Sequence, residues 1–330
     1  MEYLLLISIL VSFLLTIIFL PEWIRICRKI GLVWEDMNKF GHPKNVAASG
    51  GIIVVMAFVL GVLTYIALKT FVFGGTVRAL EIFALLSVIL ILAIIGLVDD
   101  LLGWKNNGLP NRIRLVLAFA ASIPLVVINA GTHSMLLPFV GSVDFGILYP
   151  LFLIPIGVAG AATTYNFLAG FNGLESGQGV LILSFLSFVA YITGSPWLAA
   201  VGLSMVAALI GFYYFNKFPA KVFPGDIMTY SIGALIAGMA ILGNFEKIAI
   251  VVFIPYIIEV ILKLRGGLKK HSFGIPDKNG KLKMPYNKVY GLEHLAIKVL
   301  NKFGGATEKK VTYLLHVFQI LFIFIAFLML

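Results

Sequence analysis

The sequence predicts an all-α integral membrane protein, a polytopic bundle of about ten transmembrane helices. Of its 330 residues, 60% are hydrophobic and only 12% are charged, and the mean hydropathy is +1.03. A soluble domain contains about 25% charged residues, so a chain this apolar is typical of a protein that crosses the bilayer several times. We expect residues 1–330 to form one membrane domain, and the single Cys27 excludes an intrachain disulfide.

Ten apolar runs are long enough to cross a bilayer as helices. They cover residues 3–21, 49–68, 80–98, 113–130, 147–165, 179–193, 197–215, 227–243, 247–262 and 312–330. The first run has neither a basic stretch before it nor a small-residue cleavage site after it, so we expect a retained first span rather than a signal peptide.

The basic residues predict how these runs are oriented. The loops after the first, third, fifth, seventh and ninth runs contain all 25 Lys and Arg residues except Lys69, Arg78 and Lys247. Because basic loops stay inside the cell, these loops are predicted to be cytoplasmic, with both termini outside the plasma membrane. Contact with anionic headgroups also explains the net charge of +10, and no nucleic-acid partner is expected.

The same loops contain almost every unusual polar residue. Asp99 and Asp100 stand side by side at the end of an apolar run, where a charge is costly and by default functional. The other polar stretches are Asp36-Met37-Asn38-Lys39, Asn111-Arg112-Ile113-Arg114, the loop from Asn166 to Glu175, Pro224-Gly225-Asp226 and Lys269-Lys270-His271. A structural protein has no need to gather acids, amides and glycines on one side. We therefore expect catalytic loops that use a soluble cytoplasmic substrate.

The residue types in these loops limit the chemistry that they can perform. Carboxylate and amide oxygens beside basic groups, without a Cys or His cluster, suit a hard cation such as Mg²⁺. Asp226 is a ligand candidate because Gly225 lets the backbone approach a phosphate, and Asn166 is another. Such a set favours phosphoryl transfer, in which a metal and basic residues stabilise the charge of the moving group.

Other interpretations of these motifs remain open. They are helix caps for Asp99, Asp100 and Asp226, a turn at Asn172-Gly173, and headgroup contacts for Lys270 and His271. A transporter or lipid flippase would carry its acids at mid-helix in repeated, broken helices, whereas here the acids gather at helix ends. A CDP-alcohol phosphotransferase needs an Asp-x-x-Asp-Gly motif, and the sequence has no Asp-Gly step.

Several motifs resemble those of the polyprenyl-phosphate N-acetylhexosamine-1-phosphate transferases, which are glycosyltransferases of family 4. They are NFLAGFNGLESGQG from Asn166, KVFPGD ending at Asp226, ASIPL at 121–125 and IPDKNGKLKMPYNK from Ile275. The resemblance spans nearly the whole chain and is closest to the eukaryotic and archaeal branch, which uses UDP-GlcNAc and dolichyl phosphate. Members of this family often form homodimers.

The resemblance implies transfer of GlcNAc 1-phosphate from a UDP-sugar to a polyprenyl or dolichyl phosphate, with release of UMP. This is the first membrane step of N-glycan or cell-surface polymer assembly. UDP-GalNAc or a UDP-MurNAc-peptide is the alternative donor. Direct attack by the lipid phosphate is favoured because that phosphate is largely ionised at pH 7, and a covalent intermediate stays open.

The resemblance also implies a catalytic centre. Asn166 and Asp226 would hold Mg²⁺, or Mn²⁺ in its place, on the diphosphate, and Asp99 and Asp100 would form the catalytic acidic pair. Arg114 lies where related members have a Lys. Because a guanidinium stays protonated, Arg114 is expected to act by its charge rather than as a base.

A substrate-binding set follows from the same comparison of motifs. Asn172 would read the uracil edge with Gly170 close by, Phe223 would stack on the ring, and Met37 would contact uracil through its backbone. The remaining binding candidates are Asp36, Asn38, Lys39, Glu175, Lys270 and His271. Lys270 and His271 match a basic Arg-His-Arg element for the sugar and pyrophosphate, with Ser272 in place of the last Arg.

Residues 263–311 form the only predicted cytoplasmic loop long enough to fold by itself. A tight turn is expected at Asp277-Lys278-Asn279-Gly280. An interfacial amphipathic helix is expected to follow, with its apolar face formed by Leu292, Leu295, Ala296, Val299, Leu300 and Phe303. Glu293, His294, Lys298 and Lys302 are expected to lie away from that face. A helix packed on the loop itself is the alternative.

Overall fold

The computed structural model describes residues 2–74, 78–106, 108–137 and 141–330, and helices dominate it. Within these ranges, seven helices have the length and hydropathy needed to cross a membrane. They are α1 (Glu2–Ile30), α2 (Gly51–Phe71), α3 (Ala79–Asn106), α7 (Leu174–Ile192), α8 (Pro196–Asn216), α9 (Asp226–Gly243) and α13 (Glu308–Phe327). A helical, multi-pass membrane protein is therefore confirmed, whereas the count of ten spans is not.

Three predicted runs do not form single long helices. Residues 113–130 give α4 (Asn111–Ala120) and α5 (Ile123–Val127), and residues 247–262 give α10 (Glu246–Val252) and α11 (Ile254–Arg265). Residues 147–165 give a π-helical turn, Tyr149–Leu153, and then α6 (Ile154–Tyr165). Each of the three breaks has a proline in the first turn of the segment that follows it, namely Pro124 in α5, Pro155 in α6 and Pro255 in α11. Proline has no N–H to continue a helix, and a hydropathy window does not register this.

α9 is the most buried helix of the bundle, and its N-terminus is fixed by glycines on its neighbours. A Cβ on Gly96 of α3 would lie 2.5 Å from the carbonyl carbon of Asp226. A Cβ on Gly51 of α2 would lie 2.5 Å from the Cβ of Met228. Both distances are too short for any side chain larger than hydrogen. The two glycines therefore allow α2 and α3 to pack directly on the helix end that carries Asp226.

Short strands cover the end of the bundle at which α9 begins. β1 (Val33–Glu35) pairs antiparallel with β2 (Lys44–Ala47), and Ala47 forms a bridge with Val222. β5 (Ile275–Pro276), β6 (Lys281–Lys283) and β7 (Ala306–Thr307) form an antiparallel sheet in that order. A second hairpin, β3 (Ser134–Leu137) with β4 (Gly141–Asp144), lies near the other end of α9, where Thr132 N–H donates to Asn244 Oδ1 at 2.8 Å.

The loop 263–311 contains both of its predicted features. Asp277 and Gly280 close a turn between β5 and β6, with Gly280 N 3.0 Å from Asp277 O. The amphipathic helix is α12 (Leu292–Lys302). Its predicted orientation is wrong in one respect, because Glu293 and His294 are buried, with 0% and 1% of their surface exposed. Their neighbours are Lys263 on α11 and residues 271–273 in the loop before β5.

Candidate active site

A cavity of about 760 Å³ opens beside the N-terminus of α9, between the loops that the sequence predicted to be catalytic. Its volume is within the range of small-molecule sites. Nine predicted site residues line it: Asp36, Met37, Asp100, Asn166, Gly170, Glu175, Phe223, Asp226 and His271. The six others lie outside its lining: Asn38, Lys39, Asp99, Arg114, Asn172 and Lys270.

Asp100 is fixed to the first turn of α9. Its Oδ1 accepts a hydrogen bond from Asp226 N–H at 2.8 Å, and its Oδ2 lies 3.4 Å from Ile227 N. Gly225, with φ of +72°, brings the chain close, and a Cβ there would lie 2.2 Å from Asp100 Oδ2. A carboxylate at a helix N-terminus is stabilised by the helix dipole and by the free N–H groups. Asp100 therefore caps α9 from a neighbouring helix while it also faces the cavity.

Arg114 joins the other two acids of this centre. Its guanidinium lies 2.8 Å from Asp99 Oδ2 and 3.4 Å from Asp226 Oδ2, and it also donates to Asn111. Asp99 accepts a further bond from Leu109 N–H at 2.5 Å. We call Asp99, Asp100, Asp226 and Arg114 the acid cluster. The acid cluster contains three carboxyl groups and one guanidinium, so it has a formal excess of negative charge that a cation could neutralise.

Asn166 lies beside the acid cluster on the cavity wall. Its Oδ1 accepts a hydrogen bond from Thr229 Oγ at 3.1 Å, and Thr229 is one turn beyond Asp226 on α9. Among the described residues, no group of three or more His, Cys, Asp or Glu side chains is arranged to hold a metal. Mg²⁺ nevertheless fits this set, because it usually takes one or two carboxylates and completes its shell with water and substrate phosphates.

Gly170 and Phe223 form parts of the wall where the sequence predicts a nucleotide. Gly170 has φ of +99°, and a Cβ there would lie 2.7 Å from the ring of Phe273. Glu175 Oε1 accepts from Gly170 N–H at 2.8 Å and so fixes this turn. Phe223 is held by its backbone, with its N–H 2.8 Å from Ala47 O. The wall is therefore fixed by contacts between loops that are far apart in the chain.

Asn172 uses its side-chain amide to join loops rather than to face the cavity. Its Oδ1 accepts from Lys39 Nζ at 2.9 Å and from Ala220 N–H at 2.7 Å. Its Nδ2 lies 3.3 Å from Asp36 Oδ2, and Asp36 also pairs with Lys39. Only 4% of the Asn172 surface is exposed. The structure therefore places Asn172 and Lys39 one layer behind the wall, with Asp36 between them and the cavity.

Asn38 and Lys270 also contact other groups of the protein and do not line the cavity. Asn38 donates from Nδ2 to Gly170 O at 2.8 Å and accepts at Oδ1 from Gly274 N–H at 3.1 Å. Lys270 Nζ lies 4.9 Å from the ring centroid of Tyr286 and so makes a cation–π contact. His271 does line the cavity, next to Phe273.

The sequence did not single out several residues that line the cavity. They are Trp34, His42, Lys44, Ser49, Thr229, Phe273 and Tyr286. All of them except Ser49 lie within about five residues of a motif that was identified, and Tyr286 belongs to the quoted IPDKNGKLKMPYNK stretch. The sequence feature that could have identified most of them is an aromatic or polar side chain in or beside a loop already predicted to be catalytic.

Comparisons with known proteins show which family this chain is similar to. Residues 82–244 match the family model described as glycosyl transferase family 4. A Saccharolobus solfataricus protein, provisionally named UDP-N-acetylglucosamine–dolichyl-phosphate N-acetylglucosaminephosphotransferase, is 34% identical over 97% of this chain and 95% of its own length. The protein of that name in Dictyostelium discoideum is 29% identical over 75% of this chain and 68% of its own. A phospho-N-acetylmuramoyl-pentapeptide-transferase of Halalkalibacterium halodurans is 27% identical over 79% and 82%.

Proposed function

The chain belongs to glycosyl transferase family 4, and from this premise we propose that it transfers GlcNAc 1-phosphate from UDP-GlcNAc to a polyprenyl or dolichyl phosphate. A lipid phosphate oxygen attacks the β-phosphorus of the nucleotide sugar. The bond from this phosphorus to the bridging oxygen breaks, and UMP leaves. One observation carries the proposal: Asp100, Asn166 and Asp226 share a single cavity at one end of a membrane helix bundle.

The acid cluster supports this reaction electrostatically. Asp226 and Asn166, together with Asp100, would hold Mg²⁺, which supplies screening of the two phosphates as they approach. Arg114 contacts both Asp99 and Asp226 and so orients the two carboxyl groups. Fixed charges that are already in place act without reorganisation during the reaction, and this is the main source of catalysis in phosphoryl transfer.

The cavity wall supports binding of a nucleotide sugar. Phe223 offers a flat apolar surface for a base, and His271 lies on the wall formed by the loop before β5. Asp36 and Met37 line the same cavity from the β1–β2 loop. A water-soluble donor can reach this end of the bundle from the cytoplasm, and the lipid acceptor can reach it from the membrane. We place the site at the cytoplasmic face of the plasma membrane, with both termini outside and with two copies forming a homodimer.

The identity of the sugar is the open part of the proposal. The relative that matches almost the whole chain is named for N-acetylglucosamine, which favours UDP-GlcNAc. The relatives named for phospho-N-acetylmuramoyl-pentapeptide match about three quarters of the chain, which makes a UDP-MurNAc-peptide the second candidate. Both donors share the UDP group and the β-phosphorus, so the acid cluster would act identically on either.

An assay of UMP release tests the proposal directly. Protein purified in detergent is mixed with UDP-GlcNAc, polyprenyl phosphate and Mg²⁺, and competing UDP-GalNAc and UDP-MurNAc-pentapeptide are added in parallel. We expect UMP release that requires both substrates and that UDP-GlcNAc supports best. No UMP release with any of the three donors would contradict the proposed reaction. A preference for another donor would retain the reaction and change the sugar.

A further inference from the structure

A second buried charged cluster lies behind the cavity wall, away from the acid cluster. Lys263 and Glu259 are one turn apart on α11, and Lys263 Nζ lies 3.4 Å from Glu259 Oε1. Lys263 also donates to Ser272 Oγ in the loop before β5. Glu259 Oε2 accepts from Leu292 N–H at 2.6 Å, where α12 begins. These contacts join α11 to α12 and to the loop before β5, residues 266–274, which we call the wall loop.

The burial of these charges is costly, so the cluster needs a reason. Glu259 has no exposed surface, and the side chain of Lys263 is only 11% exposed. Removing a charge from water costs several kcal/mol unless geometry and hydrogen bonds compensate, and an apolar pair of similar volume is often as stable. Neither residue lines the cavity. An apolar pair could not reproduce the hydrogen bonds of Lys263 to Ser272 in the wall loop and of Glu259 to Leu292 N–H in α12.

The wall loop is also held from its opposite side. Asn38 Oδ1 accepts from Gly274 N–H at 3.1 Å, while Asn38 Nδ2 donates to Gly170 O at 2.8 Å. Asn38 is 3% exposed, so both amide groups are used within the protein. The loop segment 271–274 is therefore fastened at Ser272 from behind and at Gly274 from the side. Phe273 lies between these two fastenings and His271 lies directly before the first, and both residues line the cavity.

We propose that Lys263 and Asn38 are positioning residues that clamp segment 271–274 in the shape required by the donor substrate. They act through the wall and touch no substrate. This inference rests on the proposed function for the identity of the donor, a UDP-sugar. Loss of either fastening weakens donor binding, and it leaves the acid cluster and the acceptor lipid unaffected.

Two substitutions and their matched controls test the clamp. Lys263→Met removes the charge and keeps the length of the side chain, and Asn38→Asp places a carboxylate against Gly170 O at nearly unchanged size. The controls are Arg265→Met, two residues along α11 and exposed, and Asn279→Asp, exposed in the β5–β6 turn. Lys263→Arg serves as the conservative variant, since it restores a positive charge at the same position.

Two measurements separate a positioning role from general instability. Amide hydrogen exchange of residues 270–276, followed by mass spectrometry without substrate, is expected to accelerate by about tenfold in both variants and not in the controls. The KM for UDP-GlcNAc is expected to rise about tenfold, with kcat and the KM for polyprenyl phosphate within about twofold. In Lys263→Arg, the KM for UDP-GlcNAc is expected to stay close to the wild-type value.

Each remaining result counts against part of the interpretation. Unchanged exchange at 270–276 in an active enzyme would overturn the clamp and leave the proposed function standing. Faster exchange with an unchanged donor KM would overturn the role in donor binding. Equal changes in both KM values and in kcat, together with a lower unfolding temperature, would show general instability and overturn the positioning role. A wild-type protein without turnover would overturn the proposed function together with its donor.

Discussion

The acid cluster and the clamp each contain a basic residue in contact with a carboxyl group, but they differ in access to the cavity. In the acid cluster, Asp100 and Asp226 line the cavity, and the guanidinium of Arg114 contacts Asp226. In the clamp, Lys263 pairs with Glu259 outside the cavity lining and contacts the wall loop at Ser272. A charge excess that faces a cavity can be used on a ligand, whereas an enclosed pair can only fix the shape of its neighbours. The two clusters should therefore fail in different ways when they are altered.

The largest expected effect is at the acid cluster. Asp226→Ala and Asp100→Ala should each lower turnover by about a thousandfold or more, because the developing charge on the phosphates loses its fixed partners. Both proteins should still insert and purify normally. UMP release at saturating substrate measures the effect, with Asp277→Ala in the exposed β5–β6 turn as the control. Retained turnover in both variants would refute the assignment of the acid cluster.

Removal of the metal should abolish turnover reversibly. Treatment with EDTA and dialysis is expected to leave no UMP release above background, since the carboxylates would then face the diphosphate without a screening cation. Added Mg²⁺ should restore the rate, and Mn²⁺ should replace it. Amide exchange at 270–276 should not change on metal removal in the free protein, because the clamp holds no metal. Full turnover in EDTA would exclude a metal requirement.

Arg114 tests how far charge alone explains the acid cluster. Arg114→Met should lower kcat about a hundredfold, because Asp99 and Asp226 lose the cation that holds them in place. Arg114→Lys keeps the charge and loses the two-point contact, so kcat should stay within about tenfold of the wild type. Arg112→Met on the same helix is the control. Equal losses in both Arg114 variants would show that geometry, not charge, is the essential property.

The difference between the clusters also explains what the sequence could predict. Asp99 and Asp100 are adjacent in the chain, and Gly225 directly precedes Asp226, so a local pattern was enough to identify them. The pairing of Asn172 with Lys39 joins loops more than 130 positions apart, which no local pattern contains. A polar pair on one helix, such as Glu259 and Lys263, is visible in the sequence, but its burial depends on the loop that covers it.

For the fold, too, features that depend on local sequence were predicted, whereas features that depend on distant contacts were not. The seven long apolar helices were identified from composition alone. The three runs that are interrupted at Pro124, Pro155 and Pro255 were predicted as single continuous helices, because hydropathy does not include the missing N–H of proline. α12 was predicted as a helix, but the side that it buries depends on the polar partners of Glu293 and His294. Those neighbours lie on α11 and in the loop before β5, and they cannot be predicted from the sequence of the helix itself.

The smallest expected effect concerns protonation beside the clamp. Burial lowers the pKa of His294 to about 4, and the nearby charge of Lys263 acts in the same direction. The unfolded chain, with a His pKa of about 6.5, therefore takes up a proton at pH 5 that the folded protein does not. The unfolded state thus binds more protons, and stability falls as the pH is lowered from 7 to 5, by about 2 kcal/mol from this residue.

His294→Gln isolates this contribution from its neighbours. Burial raises the pKa of Glu293, which has the opposite effect on the pH dependence, and Glu259 and Lys263 face the same cluster. Comparison with the wild type removes these shared effects. The fall in unfolding temperature between pH 7 and pH 5 should be about 2–4 °C smaller in His294→Gln, measured by thermal unfolding in detergent. His133→Gln, in the loop before β3, should match the wild type. Equal pH dependence in all three proteins would show that His294 binds protons equally in the folded and unfolded states. Its surroundings would then not be enclosed, and the contrast between the two clusters would be lost.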